Sequence, residues 1–396
     1  MHRDTGDPAC RASIRPRRPA RLVRLAWLLA GYPLALALAV SPALVPVSAQ
    51  PAPVAVAQVG GAASPPPDAA SGDRRTADLL DRPARVAPVA TRSLLLDVER
   101  AGQRLVAVGE RGHVLLSDDD GRSWRQARLV PSRTMLTAVA FADERRGWAV
   151  GHDELILHTR DGGETWSRQH WAPESQQPLL DVWFADAARG FAVGAYQTLL
   201  ATTDGGASWT RRPFEPAPLP RSGPPDPDQE FAPEYHLNAI AGQGSRLWIA
   251  AEAGQLYRSD DGGASWRSLP SPYGGSFFGL LPLSAEAVLA FGLRGNLYRS
   301  DDGGEAWRKL ETGTTAMLTD GVALGGGRLA IVGLSGTVLL SADAGETWRL
   351  RQQPDRRGLG AALLAADGAL VAVGEEGVRR IALDGESAGG APGGAR

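Results

Sequence analysis

The chain has 396 residues with a formal net charge of −2, and it contains 48 Gly, 29 Pro and a single Cys. Its abundance of turn-forming residues favours a large all-β protein. The slightly acidic balance excludes the strongly basic class of nucleic-acid-binding proteins. One cysteine excludes a disulfide-stapled fold.

Residues 1–49 have the pattern of an export signal. An arginine-rich start precedes an apolar run over residues 25–47, and Val47-Ser48-Ala49 is an A-x-A-like cleavage site before Gln50. We therefore predict a signal peptide over 1–49 and an exported protein that resides in the periplasm, or in a thylakoid lumen if the organism is photosynthetic.

Cleavage of residues 1–49 would remove seven Arg, two Asp and Cys10, and would leave 35 basic against 42 acidic residues. The alternative, an uncleaved anchor, is open because the apolar run is about long enough to span a bilayer. Three prolines inside the run disfavour it, namely Pro33, Pro42 and Pro46.

Residues 50–82 are rich in Pro, Ala and Gly and are predicted to be a linker, and residues 386–396 a flexible tail. Between them, residues 83–385 carry a repeat. Its first pattern, Ser/Thr-x-Asp-x-Gly-x-x-Trp, occurs at 117–124, 159–166, 202–209, 259–266, 300–307 and 341–348. A period of about 40 residues indicates stacked supersecondary units.

A second pattern, usually Val-Gly followed by a polar turn, counts seven units, at 108–112, 150–154, 193–197, 250–254, 291–295, 332–336 and 373–377. Apolar runs on either side of these turns predict β-hairpins. In the first unit we predict strands at 94–99, 104–109, 113–118 and 124–129, and in the last unit at 361–366, 369–374 and 378–383.

Radially repeated four-stranded units form a β-propeller. We predict an all-β, seven-bladed propeller of four-stranded antiparallel blades, in which residues 84–90 supply the missing fourth strand of the last blade and close the ring. A solenoid is the alternative fold, but it does not explain an incomplete last unit.

The six Asp–Trp motifs are predicted to be structural, because Asp and Ser/Thr side chains hold backbone N–H groups in tight turns and Trp is a large apolar anchor. Six ligand sites are the alternative; the loops lack an EF-hand's length and closing Glu. The residues concerned are Asp119, Trp124, Asp161, Trp166, Asp204, Trp209, Asp261, Trp266, Asp302, Trp307, Asp343 and Trp348.

The motif resembles the Asp-box, or BNR, repeat of sialidases, sortilins and other propellers. The longer stretches FADERRGWAVGHDELILHTRDGGETW (141–166) and FADAARGFAVGAYQTLLATTDGGASW (184–209) resemble the blade of the photosystem II stability/assembly factor family. The resemblance covers about 83–385 and implies an exported, non-catalytic seven-bladed propeller. It implies as partner a membrane-protein complex or its assembly intermediates. We separately expect a monomer without cofactor or metal.

We define the BC face as the end of the ring that carries the turns between the second and third strands of each blade. Fourth strands also leave for the next blade at this face, whereas the Asp–Trp turns lie on the opposite face, the box face. Arginines and aromatic residues, which are enriched at binding hot spots, occur here. The candidate partner-binding residues on the BC face are Arg111, Arg133, His152, Trp171, Tyr196, Arg294, Arg356 and Arg357.

The step from Trp209 to Trp266 is the longest between motifs because of a proline-rich insertion at 211–236. Long loops of this kind are either functional or disordered. We hypothesise that it folds over the face and adds Phe231 and Tyr235 to a partner site; disorder is the alternative.

Two other functional classes remain open from the sequence. A sialidase-like hydrolase would need a Tyr/Glu nucleophile pair, but neighbours such as Glu234 and Tyr235 point to opposite faces of a strand. No histidine pair has zinc-ligand spacing. A periplasmic glycan- or small-molecule-binding module would instead need an apolar pocket with few polar groups.

Overall fold

The computed structural model describes residues 82–220 and 234–383. Within these ranges the chain forms seven antiparallel sheets in which strands follow one another in sequence order; six have four strands and one has three. The prediction of a seven-bladed all-β propeller is confirmed. No helix in these ranges is long and apolar enough to cross a membrane.

The strands of blades one to three are β1 (Leu95–Ala101), β2 (Arg104–Gly109), β3 (Val114–Ser117), β4 (Arg125–Gln126); β5 (Leu136–Phe141), β6 (Gly147–Gly151), β7 (Ile156–Thr159), β8 (Ser167–His170); and β9 (Leu179–Phe184), β10 (Gly190–Gly194), β11 (Leu199–Thr202), β12 (Thr210–Arg211). Those of blades four and five are β13 (Leu237–Gln243), β14 (Arg246–Ala251), β15 (Leu256–Ser259), β16 (Arg267–Ser268); and β17 (Phe277–Pro282), β18 (Val288–Gly292), β19 (Leu297–Ser300), β20 (Arg308–Leu310).

Blade six has β21 (Leu318–Gly325), β22 (Arg328–Gly333), β23 (Thr337–Ser341) and β24 (Arg349–Gln352), and blade seven has β25 (Leu359–Leu364), β26 (Leu370–Gly374) and β27 (Gly377–Ile381). Short 3₁₀ turns occur at Ala90–Arg92, Glu110–Gly112, Pro173–Ser175, Glu252–Gly254, Leu293–Gly295 and Leu334–Gly336.

The three inner strands of each blade are apolar on both sides because each blade is packed between two neighbours. In blade one, Val106 and Val108 share a buried cluster with Val139 and Ala149 of blade two. The outermost strands β4, β12 and β16 are only two residues long and partly exposed. The core is therefore a ring of clusters between blades.

Polar side chains on the innermost strands join successive blades. They lie at a bulge near the start of the strand, where pairing with the second strand shifts by one residue. The carboxylate bonds are Val139 N–H to Asp97 at 2.8 Å, Ile240 N–H to Asp181 at 3.0 Å and Ala362 N–H to Asp320 at 2.6 Å. Three other side chains donate to carbonyl oxygens of the next blade. These bonds are Thr137 to Leu179 O at 2.7 Å, Asn238 to Phe277 O at 2.9 Å and Thr319 to Leu359 O at 2.8 Å.

The predicted closure of the ring by residues 84–90 is wrong. This segment forms no strand, and blade seven has three strands within the described chain. Ala84 N–H donates to Val130 O of blade one at 2.9 Å, and the Gln126 side chain binds the Ala87 N–H at 2.6 Å. Pro88, which has no N–H to donate, interrupts the segment. The segment thus lies against the fourth strand of blade one instead of pairing with β27.

The seam between blades one and seven is closed by side chains. Arg100 donates to Leu364 O at 3.0 Å and pairs with Asp120 at 2.7 Å. Asp367 pairs with Arg122 at 2.8 Å and with Arg380 at 2.6 Å. A buried cluster that contains residues of both β1 and β25 lies beneath these ion pairs.

Candidate protein-binding face

Each Asp–Trp motif forms a closed set of hydrogen bonds on the box face. In blade three, the Thr202 hydroxyl donates to Asp204 Oδ1 at 2.8 Å and accepts from Gly206 N–H at 2.8 Å. Asp204 Oδ2 accepts from the Ser208 hydroxyl at 2.6 Å. Bonds from the Ser208 hydroxyl and backbone and from Thr202 lower the pKa of Asp204 to about 2. These carboxylates are therefore occupied inside the turn.

The same hydroxyl–carboxylate bond holds the Asp of four other blades, with Ser123 on Asp119, Thr165 on Asp161, Ser265 on Asp261 and Thr347 on Asp343. Blade five departs from the pattern because Ala306, which has no hydroxyl, precedes its Trp. Asp302 therefore lacks the hydroxyl bond to Oδ2, and from the Trp side of the turn only the backbone N–H groups of residues 305 and 306 donate to its Oδ1.

Each motif tryptophan packs in a cluster formed by its own blade and the preceding one. Trp166 is the most buried of them, at 3% exposure, and donates to Gly163 O at 2.9 Å. The others lie in the equivalent clusters, namely Trp124, Trp209, Trp266, Trp307 and Trp348. Within the two described ranges, no three Asp, Glu, His or Cys side chains are grouped to hold a metal ion.

On the BC face, six turns place a non-glycine residue in the left-handed conformation, with φ between 50° and 59°. These residues are Arg111, Asp153, Tyr196, Ala253, Arg294 and Ser335. Left-handed backbone costs an L-residue about 1–2 kcal/mol. Glycine follows in four of these turns; at Gly112 a Cβ would lie 2.1 Å from Ser132 O. The left-handed residue is exposed in five of the six turns, and Asp153 is half-buried in the sixth.

Blades two and three put Glu154 and Gln197 where the other turns have glycine, with φ of 50° and 56°. Longer connections make room there, because Glu154 N–H donates to Gln177 O and Gln197 N–H to Tyr235 O. This departure was not predicted, although the sequence carries a signal for it, namely the loss of the final glycine from the turns at 150–154 and 193–197.

Glu154 is 2% exposed and holds two fourth strands together. It accepts from Arg211 of blade three at 2.5 Å and lies 3.4 Å from His170 of its own blade. Burial opposes its ionisation, but the hydrogen bond from His170 and the charge of Arg211 outweigh burial and lower its pKa. A buried carboxylate thus joins blades two and three through half-exposed Arg211.

Several predicted residues lie together on blades two to four. Arg168 lies over the Trp171 ring at 4.3 Å, and Ala172 N–H donates to Asp153 O. Burial lowers the pKa of His152 and raises that of Asp153. Half-exposed Tyr196 meets the His236 ring edge-on at 4.8 Å, next to Tyr235.

The insertion at 211–236 contributes the contact between Tyr196 and His236. His236 Nδ1 accepts from Tyr196 N–H at 3.1 Å, so the end of the insertion lies on the BC turn of blade three. Its beginning lies elsewhere: Phe214 is buried against Tyr257 and Trp266 at the outer rim. Phe231 lies outside the described residues.

The predicted arginines are distributed around the ring. Arg111 and Arg294 are exposed on the turns of blades one and five. Arg133 donates to Pro83 O at 3.0 Å, and Arg357 pairs with Glu376 at 3.0 Å beside exposed Arg356. They border the face and do not form one cluster.

An apolar group lies at the BC end of the central axis, where the innermost strands begin. Leu96 and Met317 are buried, and half-buried Leu94, Met135, Phe278, Leu293 and Leu334 pack against them. We call these seven residues the apolar ring. Exposed Arg294 directly follows Leu293 of the ring, and exposed Arg111 directly follows Glu110, whose N–H donates to Leu94 O at 3.0 Å. Both arginines therefore lie in turns that join the ring.

The box face has an open depression of about 1820 Å³ over blades one to four. Its charged walls are mostly internally paired, with Arg146 on Asp143 at 2.7 Å and Arg189 on Asp186 at 2.8 Å. Phe184 stacks on buried Trp148 at 3.6 Å below it. The depression offers fewer free charges to a ligand than its arginine content suggests.

Comparison with known proteins gives a family match and structural neighbours. The model of the family described as photosynthesis system II assembly factor YCF48 matches residues 79–174 and 169–321. A curated relative, the chloroplastic photosystem II stability/assembly factor HCF136 of Cyanidioschyzon merolae, is 36% identical over 63 residues, which is 15% of this chain and 14% of that protein.

Two solved structures share the fold. YCF48 bound to D1 peptide superposes with a TM-score of 0.59 at 18% identity, covering 76% of this chain and 96% of that chain. YCF48 from Cyanidioschyzon merolae gives a TM-score of 0.58 at 17% identity, covering 75% and 98%. The identities are low, so these structures establish the propeller fold alone.

Proposed function

Because the chain belongs to the YCF48 family of photosystem II assembly factors, we propose that it is a non-catalytic scaffold. On this proposal, its BC face binds a segment of a membrane-protein subunit while a membrane complex is assembled. We further propose that the protein is exported to the periplasm, as the signal pattern of residues 1–49 predicts, and that it acts there as a monomer.

The observation that carries the proposal is the apolar ring with bordering arginines. Leu96 and Met317 of the ring are buried and its other five residues are half-buried, so that part of this apolar surface is accessible to a partner. An accessible apolar centre with a polar rim is typical of protein-binding surfaces, in which arginine is enriched. Trp171, Tyr196 and Tyr235 extend the surface towards blades two to four, with half-exposed aromatic rings. A peptide is a suitable ligand because a related propeller has been solved with D1 peptide bound.

The test is crosslinking of tagged mature protein in its own membranes, followed by identification of the captured proteins by mass spectrometry. Arg111→Glu combined with Arg294→Glu reverses two exposed charges beside the apolar ring. We expect the pair to lose the partner that the wild type recovers, because reversing exposed charges at the rim slows association and removes the arginine contacts. Recovery of no membrane-protein subunit by the wild type would overturn the proposal.

Arg328→Glu is the control on the opposite face; it reverses one charge, whereas the test variant reverses two. Arg328 is exposed at the start of β22, which begins at the box face, and within the described chain no carboxylate pairs with it. It therefore changes the net charge of the protein without touching the BC face. Equal loss of the partner in this control would show a nonspecific charge effect and count against the BC face as the site.

A further inference from the structure

Blade seven ends on an unusually long and open edge. In the other six blades, the outermost strand has two to four residues, which limits the backbone offered to another chain. In blade seven the outermost strand is β27, with five residues, Gly377–Ile381. It occupies the third position of the blade, and within the described chain no strand occupies the fourth.

The register shows which groups point off this edge. In blade one Gly109 N–H donates to His113 O, so the second strand turns the backbone of its last residue towards the third strand. Gly374 is the corresponding residue of blade seven and pairs with Gly377. Since backbone groups alternate in direction along a strand, Val378 and Arg380 direct N–H and C=O outwards.

In complete blades such as the first, third and fourth, outward carbonyl groups of the third strand accept hydrogen bonds from the residue that follows the fourth strand. Val114 O of β3 accepts from Ala127 N–H at 2.8 Å, Leu199 O from Arg212 N–H at 2.8 Å, and Leu256 O from Leu269 N–H at 2.9 Å. In blade seven, by contrast, the described residues 84–87 are engaged with blade one, and the turn Ala90–Arg92 lies against the Gly377 end of β27 only. The open edge therefore offers four backbone groups in the spacing of a β-strand.

We propose that β27 binds an extended, acidic segment of the partner polypeptide as the fourth strand of blade seven. This inference rests on the proposed function and deepens it, since it adds a second contact with the same partner at the outer edge of blade seven and names the conformation and charge of the segment bound there. Strand addition of this kind uses main-chain hydrogen bonds for affinity and alternate side chains for specificity.

The charge of the segment follows from the two arginines of β27. Arg379 and Arg380 are adjacent and so lie on opposite faces of the blade. A second copy of β27 would place arginines opposite arginines, and such like-charge pairs are destabilising. Arg379 pairs with Asp355 and Glu376, and Arg380 pairs with Asp367 and donates to Asp120 O. Each arginine is still about one fifth exposed, and acidic side chains of the segment would contact this exposed part.

Apolar residues at the ends of the segment also have a surface to contact. Ala87 and Val378 pack against the same buried cluster between blades one and seven. Beside Ala87, Val86 and Val89 are 86% and 61% exposed, which is high for valine. A partner strand beside β27 would lie next to this exposed stretch.

The test uses a fluorescent peptide, Thr-Val-Glu-Glu-Val-Thr, and its Lys-Lys counterpart, with binding measured by anisotropy. Val378→Pro removes one outward N–H without removing a bond to β26, whereas Val378→Thr keeps the N–H and the branched shape. We expect Val378→Pro to weaken binding of the acidic peptide about tenfold and Val378→Thr less than about twofold. The basic peptide should bind at least about tenfold more weakly than the acidic one.

Hydrogen exchange locates the peptide independently of the variants. The acidic peptide should slow exchange of the amides of Val378 and Arg380 in the wild-type protein. Equal binding by the two Val378 variants, or protection confined to the BC turns, would overturn strand addition. In the crosslinking experiment, capture of the membrane partner by Val378→Pro as by the wild type would overturn strand addition and leave the proposed function standing. Capture of no membrane protein by the wild type would overturn the proposed function itself.

Discussion

Asp97 of blade one accepts a hydrogen bond from the Val139 N–H of blade two at 2.8 Å, and its carboxylate is 2% exposed. The bond crosses from one innermost strand to the next, where no β-sheet pairing joins the blades. Asp181 and Asp320 repeat the arrangement farther around the ring. Buried carboxylates thus replace the missing sheet pairing along the axis.

Removing the Asp97 carboxylate should destabilise the ring. Asp97→Ala leaves the Val139 N–H buried without its acceptor, a loss of about 1–3 kcal/mol in the free energy of unfolding. Asp97→Asn keeps an acceptor oxygen and should lose less. Urea denaturation followed by tryptophan fluorescence measures both; equal losses for Asn and Ala would contradict the role of the hydrogen bond.

Restoring the missing hydroxyl of blade five should stabilise the protein. Ala306→Thr places a hydroxyl where five other motifs bond the second carboxylate oxygen, and residue 306 is exposed and free to accept a larger side chain. One added hydrogen bond to a charged group contributes about 1 kcal/mol. Calorimetry should show a rise in Tm; Ala306→Val, which has the same shape without the hydroxyl, should show none.

The Asp–Trp motifs should make stability fall in acid. Hydrogen bonds from Ser265 and Ser259 hold the pKa of Asp261 at about 2, and those from Thr347 and Ser341 do the same for Asp343. Because the folded pKa lies below the unfolded value, the contribution is complete above about pH 4 and is lost as the pH falls through about 2.

The measurement is Tm as a function of pH between about 5 and 2, with Asp343 and Asp261 followed by NMR titration. Thr347→Val should move the pKa of Asp343 towards its ordinary value, and that variant should lose less stability on acidification than the wild type. A Tm that stays constant down to pH 2 would refute the assignment.

At Glu154, glycine should be tolerated better than alanine. Both substitutions remove the bridge to Arg211, but alanine retains a Cβ in the left-handed backbone at φ 50°. We expect Glu154→Gly to be about 1 kcal/mol more stable than Glu154→Ala. Denaturation of the two variants side by side gives the difference; a more stable alanine variant would contradict backbone strain at this turn.

The repeats predicted the blades but not the closure of the ring. Strand positions were close, as β26 (Leu370–Gly374) against the predicted 369–374 shows. Residues 84–90 have the apolar pattern of a strand, yet Gln126 and Val130 of blade one bind their backbone. A pattern in one segment does not show which of two neighbouring blades offers it the better hydrogen bonds.

The candidate face was only partly predictable. Turn position alone placed Arg111, Tyr196 and Arg294 on one face, since every blade repeats the same geometry. The apolar ring was not predicted, because Leu94, Met135 and Phe278 are far apart in sequence and meet only at the axis. The bridge of Glu154 to Arg211 was missed for the same reason.

By itself, the sequence determined the number of blades and the residues of their turns, because hydrophobic alternation and glycine placement act over a few neighbouring residues. Only the tertiary structure decided what happens between blades: the carboxylate bonds along the axis, the apolar ring and the open edge of β27. These depend on which distant segments the closed ring brings into contact, and such contacts leave no local pattern in the chain.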